Sequence, residues 1–296
     1  MIRSYAVVTP ARDEADNLPR LAASLASQTV LPRAWYVVDN GSTDATLELA
    51  TQLAAEHAWM HVLSQPGSST AERGAPIVKA LHAGIDALAA DPPEIFVNLD
   101  ADISMEPDYF ERLLSRFDAD AALGIASGSA YELRNGRWEQ RFVTGSTVWG
   151  ATRAYRWSCL QQLLPLEERV AWDGVDEFKA NARGWRTIAF EDLAFRHHRR
   201  EGERDGTAWT ARRNQGAAAH YLGYRAWYLV LRAVWNARRE PAALGLVWGF
   251  ALSALRREAR MQDPAARAYV RRQQSPRNLR RRALEASGRR GEVTLG

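Results

Sequence analysis

Cysteine is all but absent from this chain: Cys159 stands alone among 296 residues. No internal disulfide framework can form, so the fold must rest on a buried core, as one large domain or a domain plus an appendage. A single thiol suits a reducing compartment. Long apolar runs are missing too. The charge-free stretch in the tail, Ala242–Leu255, has 14 residues, short of the roughly 18 expected of a spanning helix. Met1-Ile2-Arg3-Ser4 runs straight into a strand-like segment, so the sequence carries the expectation of no signal peptide. It contains no internal repeat and no long low-complexity segment.

Charge is present but unevenly placed. From Arg196 to Gly296 there are 22 Lys+Arg against 8 Asp+Glu, whereas the residues before Arg196 hold 17 against 27. An acidic front and a basic tail imply two jobs: a cation-assisted site in front and an anionic surface or partner behind. A basic, well-solvated helix surface is the plainer alternative.

The first hundred residues alternate between two hydrophobic periods. Tyr5–Val8, Trp35–Val38, His61–Leu63 and Ile95–Leu99 read as strands. Between them, Glu14–Ser27, a segment carrying Leu47, Leu49 and Leu53, and Arg73–Ala90 read as helices, with Ser42 or Thr43 as the cap of the second. Strand–helix repetition with short loops predicts an α/β fold with a parallel, doubly wound sheet, whose ligands lie beyond the carboxyl ends of the strands. Ala121–His198 is less regular, with a helix over Gly174–Arg183 and two short strands, Arg186–Phe190 and Leu193–His197. Beyond Arg199 the pattern is helical and basic. Its Trp-rich apolar stretches, bounded by Arg238-Arg239, Arg256-Arg257 and Arg280-Arg281-Arg282, fit helices lying in a membrane interface or helices packed on the front domain.

The polar residues that follow these strands carry the chemistry. Asp100-Ala101-Asp102 leaves the fourth strand with two carboxylates aimed at one small volume. Alone they repel; a hard divalent cation, Mg²⁺ or Mn²⁺, resolves that conflict and keeps positions open for diphosphate oxygens. After the second strand, Asp39 can accept hydrogen bonds from a base or ribose, and Ser42 can approach the same ligand.

Val7-Val8-Thr9-Pro10-Ala11-Arg12-Asp13-Glu14, then Val37-Val38-Asp39-Asn40-Gly41-Ser42-Thr43-Asp44, then Asp100-Ala101-Asp102 resemble glycosyltransferase family 2 in order and spacing, over roughly Ser4 to Arg199. The resemblance implies a GT-A-like mixed, mainly parallel sheet flanked by helices. It makes residues 1–199 the nucleotide-sugar transferase domain and 200–296 a basic helical C-terminal extension. It implies that Thr9, Pro10, Ala11 and Glu14 line the nucleotide pocket, that Asp39 lies near the base, and that Arg73 belongs to a basic loop near the nucleotide. Asp100 is implied near ribose and metal, and Asp102 on the metal itself. A histidine after the last strand completes the metal site in many relatives; here His197 or His198 takes that place. Adjacent strand residues face opposite ways, so one of the pair is expected at the cation. The family's base, an aspartate at a helix start, falls on Asp173 by helix length, with Asp176 as the second choice. Arg12-Asp13 replaces the usual aromatic–Asn pair, Trp172 replaces the usual Glu before the base, and His82 replaces a small polar residue.

Three function classes compete. A nucleotidyltransferase wants a glycine-rich loop after the first strand, and Pro10–Glu14 has no glycine. A catalytically degenerate binding protein has no need of Asp100, Asp102 and Asp173, and no nucleic-acid motif accompanies the C-terminal arginines. The expectation is an inverting, hexosyltransferase-like enzyme of polysaccharide biosynthesis. It would take a nucleotide-sugar donor and a glycan or lipid-linked acceptor, with peripheral contact to an anionic membrane at its cytoplasmic face.

Overall fold

Alternation within single strands builds the sheet. In β1 (Tyr5–Ala11), Tyr5 and Val7 enter one buried cluster and Ala6 and Val8 the other. Successive side chains of a strand point to opposite faces, so a strand apolar on both must lie inside, covered twice. β2 (Ala34–Asp39) and β4 (Ile95–Leu99) flank β1 in parallel, and β3 (Met60–Ser64) extends the sheet beyond β2. The remaining strands are β5 (Ile103–Met105), β6 (Leu123–Arg134), β7 (Arg137–Gln140), β8 (Thr152–Arg156) and β9 (Arg186–His197). The sheet order is β3-β2-β1-β4-β8-β6-β9-β5, with β7 paired to β6. Pairing is parallel from β3 to β4 and between β6 and β9, and antiparallel at β4–β8, β8–β6, β9–β5 and β6–β7. This is a mixed sheet with helices on both faces.

The computed structural model describes residues 2, 4–67, 74–141, 148–199, 207–238 and 240–279. Arg73, Arg239 and Arg280 to Arg282, singled out from sequence, lie outside them. On one face pack α1 (Leu18–Ala26) and α4 (Tyr109–Ala119). α1 contributes Leu18, Leu21 and Leu25, and α4 contributes Phe110, Leu113 and Phe117. On the other lie α3 (Ala75–Leu88), α5 (Trp157–Leu163) and α6 (Trp172–Ala182), including Leu81, Ile85, Leu160 and Leu163. The chain divides into two compact units. The first spans Met1–Phe142, Ser146–Ala180 and Gly184–Arg199, and the second is mainly Arg200–Gly296.

Local hydrogen bonding moves some element boundaries. α1 starts at Leu18 rather than Glu14, because the Glu14 N–H donates to Thr46 Oγ1 at 2.8 Å instead of entering a helix. α2 (Thr46–Glu56) is not capped by Ser42 or Thr43. Asp44 Oδ1 accepts from the Thr46 N–H at 2.9 Å, and Ser42 Oγ accepts from the Asp13 N–H at 3.0 Å. The two strands expected over 186–197 are one, β9, with an irregularity in place of a break. Ser127 pairs with Ala189 and Ser129 with Ala194, so β9 bulges by three extra residues opposite Gly128.

These bonds knit the β1–α1 loop to the β2–α2 loop. Thr43 N–H donates to Asp13 Oδ1 at 2.7 Å and Ala15 N–H to Asp44 Oδ2 at 3.2 Å. Gly41 closes the second loop at φ +72, where an added Cβ would lie 2.4 Å from the Gly67 Cα. Gly41→Ala is therefore expected to lower stability by more than about 1 kcal/mol, read as a lower urea midpoint, through strain and main-chain collision together.

Candidate active site

The site forms where β1, β2 and β4 end in register, with Ala11 beside Asp39 and Val8 beside Asn98. Directly after β4 the chain turns through Asp100 and Asp102 into β5, which pairs Ile103 with His197 at the end of β9. That pairing brings a histidine 94 positions or more downstream onto the carboxylate turn. Asp100, Asp102 and His197 each offer a ligand atom, and all three atoms lie within 4.8 Å of one another. His197 Nε2 stands 3.2 Å from Asp102 Oδ1. The next residue faces the other way, as strand geometry requires. His198 Nε2 meets Ser104 Oγ at 2.8 Å, and its ring sits edge-on to Trp138. Of the two histidines, only His197 joins the carboxylates.

The electrostatics separate the two acids. Asp100 loses water to its surroundings and faces the Asp102 carboxylate, which together push its pKa up to about 7. Burial also opposes the charge on Asp102. There, the hydrogen bond and charge of His197, with the charge of Arg199, outweigh it and hold the pKa below the ordinary value. Burial opposes charge on His197 as well, yet Asp102 and then Asp100 raise its pKa on balance. Crowded oxygens with one imidazole are a donor set that fits Mg²⁺ or Mn²⁺.

Glu14 lies at the other wall. Arg199 forks onto it, Nη1 to Oε1 at 2.8 Å and Nη2 to Oε2 at 2.6 Å, and the same guanidinium reaches Asp102 Oδ2 at 3.5 Å. Bidentate, charge-assisted pairs of this kind fix orientation as well as adding energy. Asp39 is buried, its two oxygens accepting from Gly41 and Ser42 N–H at 3.3 Å each. Thr9, expected in the nucleotide pocket, is wholly buried in β1, where its hydroxyl accepts from Trp35 Nε1 at 2.9 Å. Ala11 is buried and Pro10 half-buried at the strand end. His82, without an assigned role from sequence, accepts from the Leu166 N–H at 3.0 Å.

Asp173 and Asp176 fall in different surroundings. Asp173 is half-buried in the first turn of α6, close enough to raise the Asp100 pKa, and its Oδ2 would stand 3.5 Å from a Cβ placed on Gly150. Asp176 is sealed below, where Tyr155 Oη donates to it and Arg153 lies 3.5 Å away. That burial, against the opposing charge of Arg153 and the Tyr155 hydrogen bond, pushes its pKa up to about 7. The second-choice base is thus a core residue without an open face.

Sequence reading missed Arg153. It is fully buried, and Nη2 donates to the Asp173 carbonyl at 2.7 Å and to Glu177 Oε2 at 3.4 Å. The two residues before its strand also tie back to the carboxylate turn. Asp100 N–H donates to the Ala151 carbonyl at 2.9 Å, and Asn98 Nδ2 to that of Gly150 at 2.7 Å. An arginine inside a buried strand, Thr152–Arg156, was the available signal. Removing one partner of a buried ion group strands the others. Arg153→Met is expected to cost about 3–5 kcal/mol, read by urea unfolding, and Glu177→Gln added to it should recover part of the loss.

Glycosyl transferase family 2 matches residues 6–170, and the chain belongs to that family. Polyprenol monophosphomannose synthase of Mycolicibacterium smegmatis is 33% identical over 167 residues, 51% of this chain and 59% of that protein. The chain thus aligns with little more than half the length of this relative. Mannosyltransferase PcManGT of Pyrobaculum calidifontis, solved with GDP-Man and Mn²⁺, superposes at TM-score 0.59 and 17% identity over 96% of this chain and 84% of its own. TarS of S. aureus, solved with UDP-GlcNAc, gives 0.52 and 20% over 71% and 64%. At these identities the solved structures speak for the fold, which is that of the GT-A glycosyltransferases.

Proposed function

We propose that the first unit transfers a sugar, with inversion, from a nucleotide-sugar donor to an acceptor. The observation that carries this reading is the convergence of Asp100, Asp102 and His197 at the strand ends of a family 2 sheet. Bound there, Mg²⁺ or Mn²⁺ supplies Lewis-acid stabilisation to a departing nucleoside diphosphate. Asp102 and His197 would hold the cation, with Asp100 shared between cation and ribose. Asp39 would accept from the base, and the Pro10–Ala11 main chain would border the nucleotide. Arg199 would keep Glu14 in place and lend positive charge beside the diphosphate.

Asp173 is the group suited to take the acceptor proton. It is half-exposed, adjoins the Asp100 turn and is held through its carbonyl by Arg153. A nearby GDP-mannose enzyme in fold and a UDP-GlcNAc enzyme leave the donor sugar to experiment. The name of the Mycolicibacterium relative favours a lipid-linked acceptor, and with it work at the inner membrane face and in polysaccharide assembly.

A donor screen following nucleoside diphosphate release with Mn²⁺ or Mg²⁺ tests the activity, and metal-dependent release from one nucleotide sugar is expected. Asp102→Asn should abolish the metal dependence; unchanged metal-stimulated turnover would overturn the assignment. Asp173→Asn should keep nucleotide binding and lose about 10²–10⁴-fold in transfer. Normal transfer in that variant would remove the base and point to an acceptor attacking through an oxygen already ionised.

A further inference from the structure

The second unit holds α7 (Ala208–Tyr221), α8 (Ala226–Ala237), α9 (Gly245–Leu255) and α10 (Pro264–Gln273). α8 has two unlike faces. Leu229 and Ala233 turn inward and meet Leu246 of α9 and Ala219 of α7 in a small core. Trp227, Val230, Leu231, Val234 and Trp235 turn outward, each 41–55% exposed. Their spacing of three, four, seven and eight residues from Trp227 is one continuous helical stripe. A merely solvated surface would carry charge here, yet Arg232 is the only charged residue within α8. α9 has no charge at all and exposes Leu244 just before it, Trp248 along it and Leu255 at its end, the last at 81%. Exposed apolar patches of this extent mark interaction sites.

Guanidinium groups frame the stripe. Arg225 and Arg238 stand at the two ends of α8, and Arg256 and Arg257 follow α9. Among the described residues no carboxylate pairs with any of these four or with Arg232. Arg238 lies over the Trp235 ring, 4.9 Å from its centroid, a cation above an aromatic whose other edge is apolar.

We propose that the outer face of α8 and α9 docks on an anionic lipid surface, lying within the headgroup layer with its tryptophans, leucines and valines toward the acyl chains. This deepens the reading of a lipid-linked acceptor and rests on it for its purpose. The face would lie on the bilayer and not cross it, since among the described residues no helix is long and apolar enough to span. An anionic bilayer offers apolar depth under a negative rim, and the stripe with its arginines is the complement of that profile. A second copy of the same face would set arginine against arginine. Residues 280–296 of this chain carry five arginines and only Leu284, Val293 and Leu295 as large apolar groups, a composition for the anionic rim and not for covering the stripe.

The test uses the full chain with vesicles of phosphatidylcholine, alone or mixed with phosphatidylglycerol. Co-sedimentation is expected with the mixed vesicles at low salt, together with a blue shift of tryptophan emission, and both should weaken as salt rises. Leu231→Glu with Val234→Glu, at exposed positions that the fold does not need, should reduce binding about tenfold or more with unchanged circular dichroism. Arg232→Gln with Arg238→Gln should reduce it and flatten its salt dependence. No binding to mixed vesicles at low salt would overturn the proposal, as would binding that the glutamates leave unchanged. A dimer in sedimentation that the glutamates dissolve would assign the face to a second copy instead. Nucleoside diphosphate release without vesicles, measured in parallel, separates a failure of the sugar-transfer reading from a failure of this one.

Discussion

Two carboxylates held together at the end of a buried strand are the constraint on which the first unit depends. Asp100 and Asp102 leave β4 with one residue between them, and burial, then the charge of Asp102, push the Asp100 pKa up to about 7. Glu14 and Asp173 add to that repulsion, and His197 opposes it. His197 and Arg199 bring positive charge to Asp102, and they reach it only because β9 returns beside β5. The antiparallel β5–β9 pairing carries the end of β9 back beside the turn that follows β4.

The neighbouring loops obey the same logic of mutual support. The β1–α1 and β2–α2 loops exchange hydrogen bonds through Asp13, Ser42, Thr43 and Asp44, and Glu14 is thereby aimed at Arg199. β8 and the two residues before it touch both sides of the site. Gly150 and Ala151 accept from Asn98 and Asp100, while Arg153 within β8 donates to the carbonyl of Asp173. The carboxylate turn and the start of α6 are thus tied to one short segment, which is why a core arginine bears on the half-buried Asp173.

The first half of this arrangement was legible in the sequence because it is local. Apolar strands with period two, leucine stripes with period three to four and acids immediately after strands all report on residues close along the chain. The histidine beside the carboxylates was narrowed by position to His197 or His198, and strand alternation said that one of them, without saying which, would face Asp102; the structure places His197 there. What stayed hidden depends on distant pairing. Thr9 was placed in the pocket by its motif, but its hydroxyl faces Trp35, a partner that strand register alone decides. Ser42 resembled a helix cap until the other loop claimed its oxygen. Asp173 and Asp176, three residues apart, look alike in sequence; only the packing of α6 on Tyr155 and Arg153 separates an open carboxylate from a sealed one. Arg153 carried a signal, a charge within a strand, that gains meaning once its acidic neighbours are known.

If Asp100, Asp102 and His197 form a divalent-metal site for a nucleoside diphosphate, nucleotide binding must follow the metal. Calorimetric titration of GDP and UDP onto the wild-type chain, with Mn²⁺ present and with Mn²⁺ removed by chelation, decides this. One of the two nucleotides is expected to bind only with the metal, and His197→Ala to lose that metal-dependent binding while His198→Ala keeps it. Nucleotide binding of equal strength with and without Mn²⁺ would overturn the site.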